Sequence, residues 1–344
     1  PVTSTSTTRT PSTPSTTSSP AHQVPIPAGW VDEEVSFATA SGTAYGSYLH
    51  PRTSIAVPGV LLIAGSGPTD RNGDSGTLTL GSLRAMAGML ANAGVASLRY
   101  DKIGSGKTGT GTLLLPDLQK IGVSPFLDQA ARALGFLAAQ PGIDPTRLYA
   151  VGHSEGALYA LLLAVQPPAG TPRLHGLGLI EGLSSRYLDL IAAQLHGQVV
   201  SALAAGSLTA AEGAQIDQSV AAAVAAIRAG KPLPTMPPTL AGLFNPSVVV
   251  YLREADALDP VVLAGRLPRG MPVLFTCSDA DIQVSCADVA KVAAAIPGPT
   301  TDFVTLHGVS HVLKVDASKT VGSYTADLEF SPDLAAALAR LVRA

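Results

Sequence analysis

Short apolar runs that stop at glycine or proline and alternate with helix-length segments recur along most of this chain. Val60–Ala64 (VLLIA) runs straight into Gly-Ser-Gly-Pro. Val95–Tyr100 follows a helix-like Leu83–Ala93 that Gly94 closes, and Arg147–Val151 precedes a helix-like Glu155–Gln166. A brief run with no polar face suits a strand covered on both sides. The same rhythm continues through Leu174–Ile180, Pro272–Cys277, a helix from Cys286 to Ile296, Thr301–Leu306 and a closing helix over Pro332–Arg343. Pro125–Gln140 reads as an amphipathic helix ended by Pro141-Gly142, and Val31–Thr39 with Ala44–His50 alternate enough to be opening strands. Parallel strands need long crossovers, so this alternation predicts the α/β class, a mainly parallel central sheet with helices on both faces.

Two stretches break the rhythm. Residues 183–270 are Ala-rich and helical over Tyr187–Ala204 and Ala210–Ala229, then Pro-rich over Lys231–Pro238. We read them as a helical cap inserted over the carboxyl edge of the sheet, where open α/β sheets bind ligands. The cap divides the core into residues 30–182 and 271–344. Residues 1–29 are dominated by Thr, Ser and Pro. Such a tract cannot bury enough apolar surface to offset its ordering entropy, so it is expected to be a disordered, extended linker. A spacer of this kind suits the segment after the processing site of an exported protein. The expectation is therefore a processed chain, secreted or in the cell envelope, with the linker as its means of envelope association.

Composition narrows the function classes. With 46% hydrophobic and 14% charged residues in 344, the chain can bury a large core. A net charge of −3 provides no basic field, so nucleic acid is not an expected partner. No apolar run approaches the ~20 residues of a bilayer-spanning helix. The two cysteines, Cys277 and Cys286, are too few for a disulfide framework and lack zinc-site spacing. They bracket one loop, and we expect a bridge between them, with two buried thiols as the alternative. A bridge implies an oxidising compartment.

Gly152-His153-Ser154-Glu155-Gly156 is a G-x-S-x-G motif set just after a strand and just before a helix. In that context the glycines permit a strained turn that lifts Ser154 off the sheet as a nucleophile. The Glu155 N–H, at the start of the helix, can face a developing oxyanion. The side chains of His153 and Glu155 are read as shaping the pocket.

A serine hydroxyl needs a base, and the base needs a carboxylate to fix its tautomer. Asp281 follows the strand Pro272–Cys277, and His311 follows Thr301–Leu306, so both fall at carboxyl ends of strands. The order Ser154, Asp281, His311 matches the order used on such sheets. Asp279 and His307 are rivals. Asp281 is preferred because it begins the segment that turns toward the next helix, and His311 because Gly308 permits the turn that projects it. His22, His50, His175 and His196 have no comparable context.

Gly65-Ser66-Gly67-Pro68 follows the first buried strand, and the Ser66 or Gly67 N–H can complete an oxyanion hole with Glu155. A phosphate loop is excluded there because no G-K-[ST] follows at the required spacing. Gly106-Lys107-Thr108 does not qualify either, because Asp101 stands where the first glycine would be needed.

Taken with Gly65-Ser66-Gly67-Pro68-Thr69-Asp70-Arg71, Arg99-Tyr100-Asp101-Lys102, Asp279-Ala280-Asp281-Ile282-Gln283-Val284 and His311-Val312-Leu313-Lys314, these pieces resemble a known group. Over residues 31–344 the chain is similar to bacterial α/β-hydrolases close to the serine aminopeptidase-like (S33-type) and carboxylesterase group. The resemblance implies the α/β-hydrolase fold, a Ser154–Asp281–His311 triad and esterase activity on simple acyl esters. Ile103 stands where the group often has Arg, Ala157 where a second Gly is usual, and Ser278 where a Gly precedes the acid loop. Asp70, Arg71, Arg99 and Asp101 are expected to form a buried polar network under the oxyanion loop.

The functional expectation is a serine esterase acting on a small-molecule acyl ester through an acyl-enzyme, with no metal or organic cofactor. The same triad also serves peptidases, thioesterases and acyltransferases. A non-catalytic envelope binding protein is the alternative from a different class.

Overall fold

The computed structural model describes residues 23–53, 55–113, 117, 119–298 and 301–344. Most of the Ser/Thr/Pro tract, residues 1–22, lies outside the described residues. Its last part departs from the expectation of a free linker over 1–29. Val24 packs against Gly88, and the Pro25 carbonyl accepts a hydrogen bond from Asn92 Nδ2 at 2.9 Å. The local sequence Val24-Pro25-Ile26-Pro27 is apolar, unlike the tract before it, and so has surface to bury.

Eight strands form one sheet: β1 (Trp30–Thr39), β2 (Gly42–Pro51), β3 (Val57–Ile63), β4 (Ala96–Tyr100), β5 (Ile143–His153), β6 (Gly176–Ile180), β7 (Val273–Ser278) and β8 (Thr301–Leu306). Their order across the sheet is β1-β2-β4-β3-β5-β6-β7-β8. β1 and β2 form a hairpin and β2 runs antiparallel to β4, while every later pairing is parallel.

Helices α1 (Ser82–Asn92), α2 (Ser124–Ala138) and α3 (Gly156–Val165) precede the cap. The cap holds α4 (Tyr187–Ala204), α5 (Ala210–Arg228), α6 (Pro238–Ala241), α7 (Val249–Asp256) and α8 (Pro260–Ala264). Helices α9 (Cys286–Ala294) and α10 (Pro332–Leu341) complete the core.

Side chains of a strand alternate between faces, and the core divides accordingly. Val60 and Leu62 of β3 join α1 and α10 in one apolar layer, while Leu61 and Ile63 join α2 and α3 in the other. Every residue of β4, β6 and β7 is buried, which is why these strands read as unbroken apolar runs.

The cap has its own buried anchor. Asp256, at the end of α7, accepts hydrogen bonds from Arg228 Nε (2.9 Å), Arg186 Nη2 (2.6 Å) and the Leu188 amide (3.0 Å). Burial alone would raise its carboxyl, but Arg228, the Leu188 amide and Arg186 together hold it below the ordinary range. Thr209 and Glu212 form a reciprocal capping box at the start of α5. Among the described residues, no helix is long and apolar enough to cross a membrane.

Candidate active site

The site is assembled from turns at the carboxyl ends of β3, β5, β7 and β8. Ser154 lies between β5 and α3 with φ of 55°, left-handed backbone that a residue with a Cβ seldom adopts. Its amide donates to Ile180 O (3.0 Å), and its carbonyl accepts from the amides of Ala157 (3.1 Å) and Leu183 (3.1 Å). The motif glycines supply close approach. A Cβ on Gly152 would sit 2.1 Å from the Gly156 carbonyl oxygen, and one on Gly156 would sit 2.2 Å from the Ile63 oxygen. The turn after β3 is thereby drawn against the serine, with the Cβ position of Gly65 3.2 Å from Ser154 Cβ.

The loops that carry Asp281 and His311 meet each other. His311 Nδ1 lies 2.7 Å from Asp281 Oδ2, and the two side chains are 6% and 0% exposed. Burial would raise the Asp281 carboxyl, but the charge and hydrogen bond of His311, with the Gln283 amide, hold it below the usual carboxylate range. An ionised Asp281 can only accept, so His311 Nδ1 is the donor of this bond.

The residue before Ser154 also holds His311. His153 Nε2 donates to the His311 carbonyl at 2.8 Å, and the two rings lie 5.0 Å apart. Burial, then the charge of His311, push His153 down to about 3, so it stays neutral and adds no second cation at the site. Ser278, where the resembled group has glycine, donates to the Val309 carbonyl and accepts from the Ala280 amide, tying the acid loop to the histidine loop. The rivals Asp279 and His307 pair with each other at 2.8 Å on the surface, 54% and 77% exposed.

Cys277 and Cys286 are bonded, closing a span of 9 residues around Asp281, with Cα atoms 5.1 Å apart. The Cys277→Ala/Cys286→Ala variant is expected to lose about 2–3 kcal/mol of stability by chain-entropy reasoning. Equilibrium unfolding in denaturant, with and without reductant, checks this. Only the wild type should weaken on reduction.

Ser66 is exposed at the tip of its turn, while Glu155 is buried. Among the described residues, neither backbone N–H donates to a protein partner, so both donors remain free. The Glu155 side chain points away from the reacting groups into a polar knot. Its Oε1 accepts from Tyr187 (2.7 Å) and Tyr251 (2.5 Å) of the cap, and its Oε2 from Lys102 Nζ at 3.2 Å. Lys102 also donates to the Gly65 carbonyl, and Tyr159 donates to Tyr251 at 2.9 Å. One carboxylate thus joins the Ser154 turn, the Gly65–Ser66 turn and the cap.

The expected Asp70–Arg71–Arg99–Asp101 network forms only in part. Arg71 grips Asp101 through Nε (3.0 Å) and Nη2 (2.7 Å) beneath the loop. Arg99 instead pairs with Asp32 at 2.6 Å. It faces the small Ser47 across the ladder, which leaves its guanidinium room to reach over β2 to β1. Asp70 spends its carboxylate on the amides of Asn72 (2.8 Å) and Asp74 (3.0 Å).

Sequence reasoning assigned no role to Lys102, Tyr187, Tyr251 or Glu181. The tyrosines sit in cap helices with no motif around them. Glu181 did carry a readable signal: an acidic residue directly after a fully buried strand, at the edge that holds Ser154 and Asp281.

No protein-family model matches the chain, and no curated protein sequence does. Solved structures do match. Ferulic acid-bound Est1E from Butyrivibrio proteoclasticus is 16% identical over 81% of this chain and 91% of that one, with a TM-score of 0.51. The Pyrococcus furiosus esterase Pf2001 is 12% identical over 91% and 90%, with a TM-score of 0.56. The α/β hydrolase GrgF from Penicillium sp. sh18 is 14% identical over 82% and 91%, with a TM-score of 0.52. At these identities the likeness concerns the fold, and the chain has the α/β-hydrolase fold.

Proposed function

We propose that the protein is a serine hydrolase that cleaves carboxylic esters through an acyl-enzyme, with Ser154 as nucleophile, His311 as base and Asp281 as the acid that orients it. The observation that carries this reading is the buried Asp281–His311 pair, with the His311 carbonyl held by His153, the residue before Ser154. Nε2 of His311 takes the Ser154 proton as the hydroxyl oxygen attacks the ester carbonyl. Asp281 stabilises the imidazolium that results. The free N–H groups of Ser66 and Glu155 receive the charge on the carbonyl oxygen, and losing one such donor costs on the order of 10²–10³ in rate. His311 then returns its proton to the leaving alcohol, and a water deprotonated by the same imidazole releases the acid.

Esters of small acyl groups are the proposed substrate class. The Cys277–Cys286 bridge supports a secreted or envelope location, since such bonds persist in oxidising compartments.

Turnover of p-nitrophenyl esters of increasing acyl length, beside matched thioesters and aminoacyl amides, tests the reading. Esters should be the fastest class. The Ser154→Ala variant should lose the activity while unfolding near the wild-type temperature. Amide cleavage faster than ester cleavage would move the protein to the peptidase class.

A further inference from the structure

Glu181 has no part in the mechanism above, yet it is fully buried at the carboxyl end of β6, beside the acid of the triad. Its backbone is left-handed, with φ of 44°. Thr276 Oγ1 fixes it from both sides, accepting from the Glu181 amide and donating to Oε1, each at 3.1 Å. The remaining oxygen, Oε2, has no hydrogen-bond donor among the described residues. The Glu181 side chain lies against the Asp281 carboxyl. A buried oxygen against a second carboxyl is satisfied only if a proton lies between them.

We propose that Glu181 keeps its proton and donates it to Asp281, acting as a positioning residue that limits how much of the Asp281 charge reaches His311. The charges around the pair decide which carboxyl holds the proton. Asp281 has His311 from the loop after β8 and the amides of Gln283 and Val284 (2.6 and 3.2 Å). Glu181 has only the neutral Thr276 and the Ser278 amide from β7. His153, from β5, remains neutral. Asp281 therefore ionises, and burial together with its charge holds Glu181 well above the usual carboxyl range. The hydrogen bond draws negative charge off Asp281 and makes it a weaker stabiliser of the His311 cation.

This inference rests on the triad reading, and its test separates the two. Infrared spectra of the wild-type protein at neutral pH should show the carbonyl band of a protonated, buried carboxylic acid, and that band should vanish in Glu181→Gln. Absence of the band would overturn the inference while leaving the triad untouched. The second readout is the pH profile of kcat/KM. In Glu181→Leu the Glu181 donor is lost while the Gln283 and Val284 amides remain, so more of the Asp281 charge favours the imidazolium and the acidic limb should move up by about one pH unit. Glu181→Gln, whose amide can still donate, should return that limb to its wild-type position. A Glu181→Leu profile that superimposes on the wild type would overturn the inference. If that variant does not fold, the infrared comparison still decides. Full activity in Ser154→Ala would instead reject the triad.

Discussion

Asp281→Asn lowers kcat/KM on a p-nitrophenyl ester by on the order of 10⁴ and leaves the unfolding midpoint little changed. The change moves a proton and leaves packing nearly as it was. Asn has the size of Asp, and its carbonyl oxygen can still accept from the Gln283 and Val284 amides that hold Oδ1. Its amide nitrogen, however, can only donate toward His311 Nδ1, where Asp281 Oδ2 now accepts at 2.7 Å. The imidazole must then carry its proton on Nε2, the nitrogen needed as base, and the resulting imidazolium has no anion to stabilise it. Steady-state kinetics beside a thermal melt check both halves of the prediction. His311→Ala should lose as much activity, because acid and base act as one unit.

Lys102→Met is expected to cost about 3–5 kcal/mol of stability, the range for removing one member of a buried ion pair. Lys102 and Glu155 are each 5% exposed, so the abandoned Glu155 carboxylate cannot regain its solvation from water. The same change releases the Gly65 carbonyl and loosens the turn that presents Ser66. Activity in the folded fraction should fall as well. The double variant Lys102→Met/Glu155→Gln removes both charges, while its amide oxygen still accepts from Tyr187 and Tyr251. It should recover much of the lost stability, since the penalty lies in the unpaired charge more than in the lost pair. Denaturant unfolding of the four proteins in this cycle measures the coupling directly.

These two sites differ in how far the sequence exposes them. Ser154 and the Asp281 loop are legible because buried apolar runs lead into them, whereas Thr301–Leu306, only partly buried, leaves a weaker pattern before His311. The helices Tyr187–Ala204 and Ala210–Arg228 are legible for a similar reason, as long Ala-rich segments with few breakers. Val249–Asp256 is not, because it starts with β-branched residues after a Pro-rich stretch and is too short to show its period.

Pairing is the larger loss. Nothing in the spacing says that Arg99 will reach across β2 to Asp32 while Arg71 takes Asp101. Nor does it say that the carboxylate next to Ser154 will spend itself on a lysine and two cap tyrosines. Those choices depend on which side chains meet across elements distant in sequence, and only the assembled sheet determines that. The two candidate acids and two candidate histidines illustrate the point. They sort into a buried pair, Asp281 and His311, and an exposed pair, Asp279 and His307, whereas the sequence preference for the former rested on loop position and one glycine turn.

A fluorophosphonate probe reacts with a serine only when a neighbouring base activates it, so mapping its adduct by mass spectrometry tests the central claim most directly. One modified residue is expected, Ser154, with labelling lost in Ser154→Ala and strongly slowed in His311→Ala. An adduct on another serine, or labelling of Ser154 that persists unslowed without His311, would contradict the account.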